Sequence, residues 1–174
     1  MKLLQVFPTI LAAAALLGCQ SYQMHSANKA RAVLDAKSGS NVTGAIDFTE
    51  RDGKVLASGR VAGLKPNAAH GFHIHEKGDC SAPDAMSAGG HFNPDAAPHG
   101  GLTSPHHTGD MGNLMSDGKG EAVVNLELDM ARLDNGKHGI LDRAVVVHAN
   151  PDDFKTQPTG NSGGRIACGL IKKA

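Results

Sequence analysis

Apolar and polar residues alternate with a period of two in several short segments, and no segment holds a helical period over three turns. Val42, Gly44, Ile46 and Phe48 fall on one side of a strand and Thr43, Ala45, Asp47 and Thr49 on the other. Arg51-Asp52-Gly53-Lys54 reads as a hairpin turn into a second strand, Val55–Leu64. Further strands are expected at Gly71–His75, Glu121–Leu128, Arg143–His148 and Arg165–Ile171, with regular structure starting near Ala30. Two stretches carry no strand signal, Glu76–Met115 and Ala149–Gly164, and both are rich in Gly, Pro, His and Asp. Loops of that length inside a compact domain are normally functional. The pattern predicts an all-β, antiparallel sandwich or barrel carrying two long functional loops.

Composition narrows the picture. The 174 residues suffice for one domain with its own core. Lys and Arg balance Asp and Glu at 17 each, with no basic stripe, so no nucleic-acid partner is expected. Five Phe, one Tyr and no Trp leave Val, Ile, Leu and Ala to fill the interior. Ten His in so small a chain call for a separate account.

The N-terminus predicts a destination. Lys2 precedes an apolar run from Val6 to Leu17, broken only by Pro8 and Thr9 and ending in Leu16-Leu17-Gly18-Cys19. That run is shorter than the ~20 residues of a spanning helix, so residues 1–18 read as a signal peptide. Leu-x-Gly-Cys resembles the bacterial lipobox, which makes Cys19 the lipidated first residue of the mature chain. The alternative is an ordinary signal peptide cut nearby, with Cys19 discarded or free. Residues 19–29 then form a polar tether, in which Met24 and His25 are read as solvated, and the domain runs from 30 to 174. The expected location is the periplasm or cell envelope, with membrane contact only through the lipid on Cys19. Gln20 stands where an Asp would favour the inner membrane, so the outer membrane is expected. Loss of residues 1–18 leaves 16 basic against 17 acidic side chains. Cys80 and Cys168 remain as an even pair in an oxidising compartment. They form a disulfide or two separate thiols, and the liability of a free thiol there favours the disulfide.

Several histidines occur in ligand-like contexts. His73-Ile74-His75 places two imidazoles on one face of a strand, able to chelate one ion, although a His-x-His can also be simply solvated. His148 closes the apolar run Ala144–Val147, where a buried or capping role is the alternative. His91 lies in Gly-Gly-His-Phe-Asn-Pro, His99 in His-Gly-Gly, and His107 with Asp110 in His-Thr-Gly-Asp. Three His and one Asp suit a closed tetrahedral zinc site, and imidazoles without thiolates suit Cu(II).

In unbroken order, Gly71-Phe72-His73-Ile74-His75-Glu76, Gly90-His91-Phe92-Asn93-Pro94, His99-Gly100-Gly101 and His107-x-Gly109-Asp110-x-Gly112-Asn113 resemble the copper–zinc superoxide dismutases. The similarity continues through Val145-Val146-Val147-His148 and Gly160-Asn161-x-Gly163-x-Arg165-Ile166-Ala167-Cys168-Gly169, and covers roughly residues 30–174. The resemblance implies a Greek-key barrel or sandwich with copper on His73, His75, His91 and His148. It implies zinc on His91, His99, His107 and Asp110, with His91 bridging the two metals. Asp152 corresponds to a carboxylate linking His73 to His99, Arg165 to an arginine beside copper, and Cys80 and Cys168 to a disulfide. His106 lacks the His-x-x-Asp spacing of His107, and His25, His70, His106 and His138 are not expected to bind metal. The implied reaction is disproportionation of superoxide to dioxygen and hydrogen peroxide, with Arg165 and His91 as catalytic residues, protecting the cell envelope. A homodimer is among the expected states, with no face assigned, because members of the family pair through different faces.

Two features depart from animal members. Asp152–Arg165 is shorter and lacks their adjacent acidic pair, which leaves Lys155 as the one loop cation. A metal-holding module without turnover is a competing class, but such a chain is expected to lose the arginine or the bridge. A zinc hydrolase needs an open zinc position, and the four proposed zinc ligands leave none.

Overall fold

The structure, a computed structural model, describes residues 28–174. The predicted signal peptide, Cys19 and most of the tether, with Met24 and His25, lie outside the described residues. The strands are β1 (Asn28–Ala36), β2 (Thr43–Arg51), β3 (Lys54–Ala62), β4 (Ala69–His75), β5 (Asp110–Met115), β6 (Ala122–Leu128), β7 (Ala144–His148), β8 (Arg165–Leu170) and the short β9 (Lys172–Lys173). A single 3-10 turn, Met86–Ala88, is the helical element among the described residues. All pairings between these strands are antiparallel, in the order β5-β4-β7-β8-β1-β2-β3-β6, with β9 beside β1. The two ends of that order, β5 and β6, are consecutive in sequence, so the sheet curls into a nearly closed barrel. β1, β2 and β3 form a meander, β4 pairs with β5, and the chain then crosses over so that β6 pairs with β3 and β7 with β4, the Greek-key arrangement.

Alternation decides what enters the barrel. Ala30, Ala32 and Leu34 of β1, Ile46 and Phe48 of β2, and Val55, Ala57 and Val61 of β3 point inward and are buried. Their neighbours in sequence face solvent, as the polar–apolar alternation requires. β4 and β7 differ, because they are buried on both faces. Phe72, Ile74, Val145 and Val147 fill the barrel. The outward positions His73, His75, Ala144, Val146 and His148 lie buried beneath the two long connections. Ala85 and Ala88 of the first connection pack on Ala144, Val146 and Cys168 in a small second core.

Strand ends shift by one or two residues from the sequence reading, at β1, β3 and β4 among others. β1 begins at Asn28, two residues inside the segment assigned to the tether, a shift within the ordinary blur of strand ends. More consequentially, β5 lies within Glu76–Met115, where no strand was expected. Asp110, Gly112 and Asn113 are poor strand formers, and pairing with β4 overrides their propensity.

Candidate metal centre

The barrel presents the first three histidines directly. His73 and His75 lie two residues apart on β4, so both project from the outer face, and β4 pairs with β7, whose last residue is His148. His91 comes from the first long connection, where its backbone bridges to His75. His99 and His107 follow on the same connection, and Asp110 opens β5. All seven are buried. They fall into two groups of four, His73-His75-His91-His148 and His91-His99-His107-Asp110, each with one ligand atom per residue and all such atoms within 4.8 Å of one another. His91 belongs to both.

Hydrogen bonding fixes the tautomers, because a carboxylate or carbonyl oxygen only accepts. His73 Nε2–H donates to Asp152 Oδ2 (2.8 Å), and His99 Nε2–H to Asp152 Oδ1 (2.9 Å). His75 Nδ1–H donates to Gly89 O (2.9 Å), and His148 Nδ1–H to Gly163 O (3.3 Å). Each of these rings therefore turns a bare nitrogen lone pair toward its cluster. His75 Nε2 and His148 Nε2 stand 3.3 Å apart, and His99 Nδ1 stands 3.0 Å from Asp110 Oδ2. Lone pairs so close repel unless a cation lies between them. His73 Nδ1, His91 Nε2, His99 Nδ1 and His107 Nδ1 are buried with no directed hydrogen bond, although His107 Nδ1 comes within 3.3 Å of Asp110. Buried polar atoms are rarely left so, and these converge on two points. The donor set fits two metal ions sharing the His91 ring.

Burial dominates the acidities. Desolvation holds His91 down to about 4 and His148 to about 3, and holds His75 well below its usual value. Burial likewise lowers His73, partly opposed by Asp152. Burial works to raise Asp110, but hydrogen bonds from His107 and His91 outweigh it and keep the carboxyl far below the usual range. All of this favours bare imidazoles and a charged Asp110, the forms that bind metal.

The partners of the ligands are also fixed. Asn113 pins Asp152, accepting its N–H at Oδ1 (2.7 Å) and donating from Nδ2 to its carbonyl (2.9 Å). Gln157 does the same for His99, at 2.7 and 2.9 Å. Gly160 has φ +63°, and a Cβ there would lie 1.9 Å from Asp152 Oδ1, so only glycine lets the carboxylate reach both rings. Asn113 lies in a motif already noted above, though without a role; Gln157 carries no sequence signal.

Arg165, at the start of β8, is half-buried and donates from Nη1 to Ala85 O (2.7 Å) and from Nη2 to Gly89 O (2.6 Å). Gly89 O also accepts from His75, so the guanidinium stands one carbonyl away from the histidine cluster. Burial lowers its pKa. Cys80 and Cys168 form a disulfide that ties the connection to β8 across 88 residues. Among the described residues, the remaining histidines lie outside both clusters. His70 is buried and bonds His148 O, His106 bonds Ser104 O, and His138 approaches Asp95.

Residues 42–171 match the family model for copper/zinc superoxide dismutase. The chain belongs to the copper/zinc superoxide dismutase family. It is 42% identical over 137 residues to superoxide dismutase [Cu-Zn] 2 of the bacterium Aquifex aeolicus (strain VF5), covering 75% of this chain and 80% of the relative. It is 43% identical over 137 residues to a superoxide dismutase [Cu-Zn] of Paramecium bursaria Chlorella virus 1, covering 75% and 72%. Its fold resembles the crystal structure of the clock protein EA4, with TM-score 0.77 and 40% identity over 86% of this chain and 97% of that one. The protein is thus a superoxide dismutase by family, an oxidoreductase whose histidine clusters suit copper and zinc.

Proposed function

We propose that this dismutase removes superoxide at the cell envelope, with copper on His73, His75, His91 and His148 and zinc on His91, His99, His107 and Asp110. The observation that carries the assignment is the convergence of bare lone pairs on two points sharing one ring. Bound copper supplies the one-electron chemistry by which two superoxide anions and two protons become dioxygen and hydrogen peroxide, and bound zinc fixes the shared ring.

The chain's own residues do the rest. His91 Nδ1 is held 2.9 Å from Asp110, which leaves Nε2 to hold and release a proton for the product. Asp152 orients His73 and His99 together, so it couples the geometry of one cluster to the other. Arg165 spends two donors on Ala85 and Gly89 and keeps its charge and remaining donors for a small oxyanion. Lys155, exposed on the second connection, adds a weaker and more screened attraction.

An opposite charge about 5 Å away contributes roughly 1–3 kcal/mol at dielectric constants between water and a protein surface. Arg165→Ala should therefore lower superoxide consumption by about ten- to a hundredfold. Both metals should remain and the salt dependence should weaken. Loss of copper, or full activity with unchanged salt dependence, would make Arg165 structural. The envelope location rests on the Leu-x-Gly-Cys motif. A diacylated Cys19 at the mature N-terminus, read by mass analysis of membrane-extracted protein, supports it; any other mature N-terminus rejects it.

A further inference from the structure

The turn between β1 and β2 lies beside the start of β8. Lys37–Ser40 is closed by Ser40 N–H to Lys37 O (3.0 Å), with Ser38 at φ 53° and Gly39 at φ 73°. Asn or Gly is the usual choice for a left-handed residue in a turn, and Ser is a costlier one. A residue held in such a conformation invites the question of what its side chain does. Ser38 Oγ donates to Arg165 O (2.8 Å), while Ser38 N–H donates to Pro83 O (2.8 Å). Lys37 reaches the same two segments, through its backbone N–H to Ile166 O (2.9 Å) and its Nζ to Cys80 O (2.5 Å). Ser40 Oγ adds a bond to Ile166 O.

These bonds join two pieces that must be in register for Arg165 to work. One is the backbone that carries its side chain. The other is the segment from Cys80 to Gly89, whose Ala85 and Gly89 carbonyls hold its guanidinium. Ala85 is itself left-handed, at φ 56°, with its methyl buried in the second core. The disulfide fixes the far end of the same junction, three residues along β8 at Cys168.

We infer that Ser38, assisted by Lys37, is a positioning residue for Arg165, clamping the root of the arginine to the loop that holds its head. The inference rests on the reading of Arg165 as the anion-binding residue. Ser38 touches neither metal ligand nor substrate, so its effect reaches the reaction only through the placement of the guanidinium.

The test uses full-length protein loaded with copper and zinc and compares Ser38→Gly, Ser38→Asn and Arg165→Ala. Glycine accepts the left-handed backbone without strain, so its gain offsets the lost hydrogen bond and the unfolding midpoint should stay near wild type. Metal content should not change. Azide serves as the anion probe, its affinity read from the absorption of the loaded protein. Ser38→Gly should weaken azide binding and superoxide consumption by about threefold, a small misplacement beside a large one. Ser38→Asn, at home in the left-handed region and carrying an amide donor, should restore most of both. Arg165→Ala should weaken azide by about tenfold or more. If Arg165→Ala weakens azide and Ser38→Gly does not, the clamp is refuted and the role of Arg165 stands. If Arg165→Ala leaves azide affinity unchanged, both readings fall. Loss of metal or of stability in Ser38→Gly, in step with activity, would show a general structural role and also refute the clamp.

Discussion

The two halves of the metal centre are made from different material. Of the four residues proposed for copper, three sit on the barrel itself: His73 and His75 on β4 and His148 at the end of β7. Their free N–H groups go to backbone carbonyls, except for His73, which bonds Asp152. Of the four proposed for zinc, the three histidines come from the long connection, and only Asp110 starts a strand. That half draws its order from side chains. Asp110 accepts backbone N–H bonds from Gly100 (3.3 Å) and His107 (3.0 Å), Asp152 holds His99, and Gln157 clamps the His99 backbone. A strand pair sets ligand spacing through the sheet, whereas a loop site must be assembled by its own hydrogen bonds and, finally, by its metal. The first half is scaffold with its proposed ligands attached, and the second is a loop held in place by its own side-chain hydrogen bonds.

Removing one ligand from each half breaks the comparison most severely. His75→Ala should abolish copper retention and superoxide consumption while leaving zinc in place and the barrel folded. His107→Ala should lose zinc and loosen the connection, seen as faster proteolysis between residues 91 and 109. His106→Ala should change neither metal. Metal analysis and limited proteolysis decide it. Equal loosening of the connection by His75→Ala and His107→Ala would erase the distinction between scaffolded and assembled halves, and zinc loss in His106→Ala would reverse the choice between the adjacent histidines.

A smaller effect is expected where the halves are joined. Asp152→Asn keeps the shape but can accept at one atom only, so His73 and His99 can no longer both be oriented. Substitution of such outer partners typically costs about 10- to 100-fold in metal affinity or activity. The zinc side, with less scaffold behind it, should lose more. Competition with a chelator for each metal tests this, and a larger loss on the copper side would contradict it.

The mildest test is titration of the metal-free protein. His91 and His148 have pKa values of about 4 and about 3 in the folded state, against an ordinary 6.5. The unfolded chain therefore takes up protons as pH falls below 6.5 while the folded rings stay bare. Stability should be fully present above that pH, fall as pH drops toward 4 and 3, and level off once the folded rings protonate. His148, which has no carboxylate partner, should protonate after His91, which Asp110 supports. Denaturant unfolding and ring-proton resonances read these outcomes. Stability independent of pH between 7 and 4 would contradict the assignment of burial as the cause.

The contrast between the halves also explains what was legible in the sequence. Alternation exposed β2, β3, β4, β6, β7 and β8, because each carries one regular apolar face or an apolar run. β5 escaped, since Asp110, Gly112 and Asn113 serve the site and its turns rather than strand propensity. The ligand candidates could be named from local motifs, but their division into two groups sharing His91 came only with the resemblance and is a matter of three-dimensional geometry. Least legible were the partners that act through backbone atoms. The carbonyls of Ala85, Gly89 and Gly163 have no side-chain signature, and Gln157 reaches His99 across 58 residues. Arg165 could be located in sequence, but not the carbonyl pair that holds it.

The central claim, two adjacent sites sharing one imidazole, is tested most directly by loading purified mature protein and measuring copper, zinc and superoxide consumption together. The account predicts one copper and one zinc per chain, with consumption rising in proportion to copper and absent when zinc alone is bound. A single metal per chain at saturation, or superoxide consumption by the zinc-only form, would contradict it.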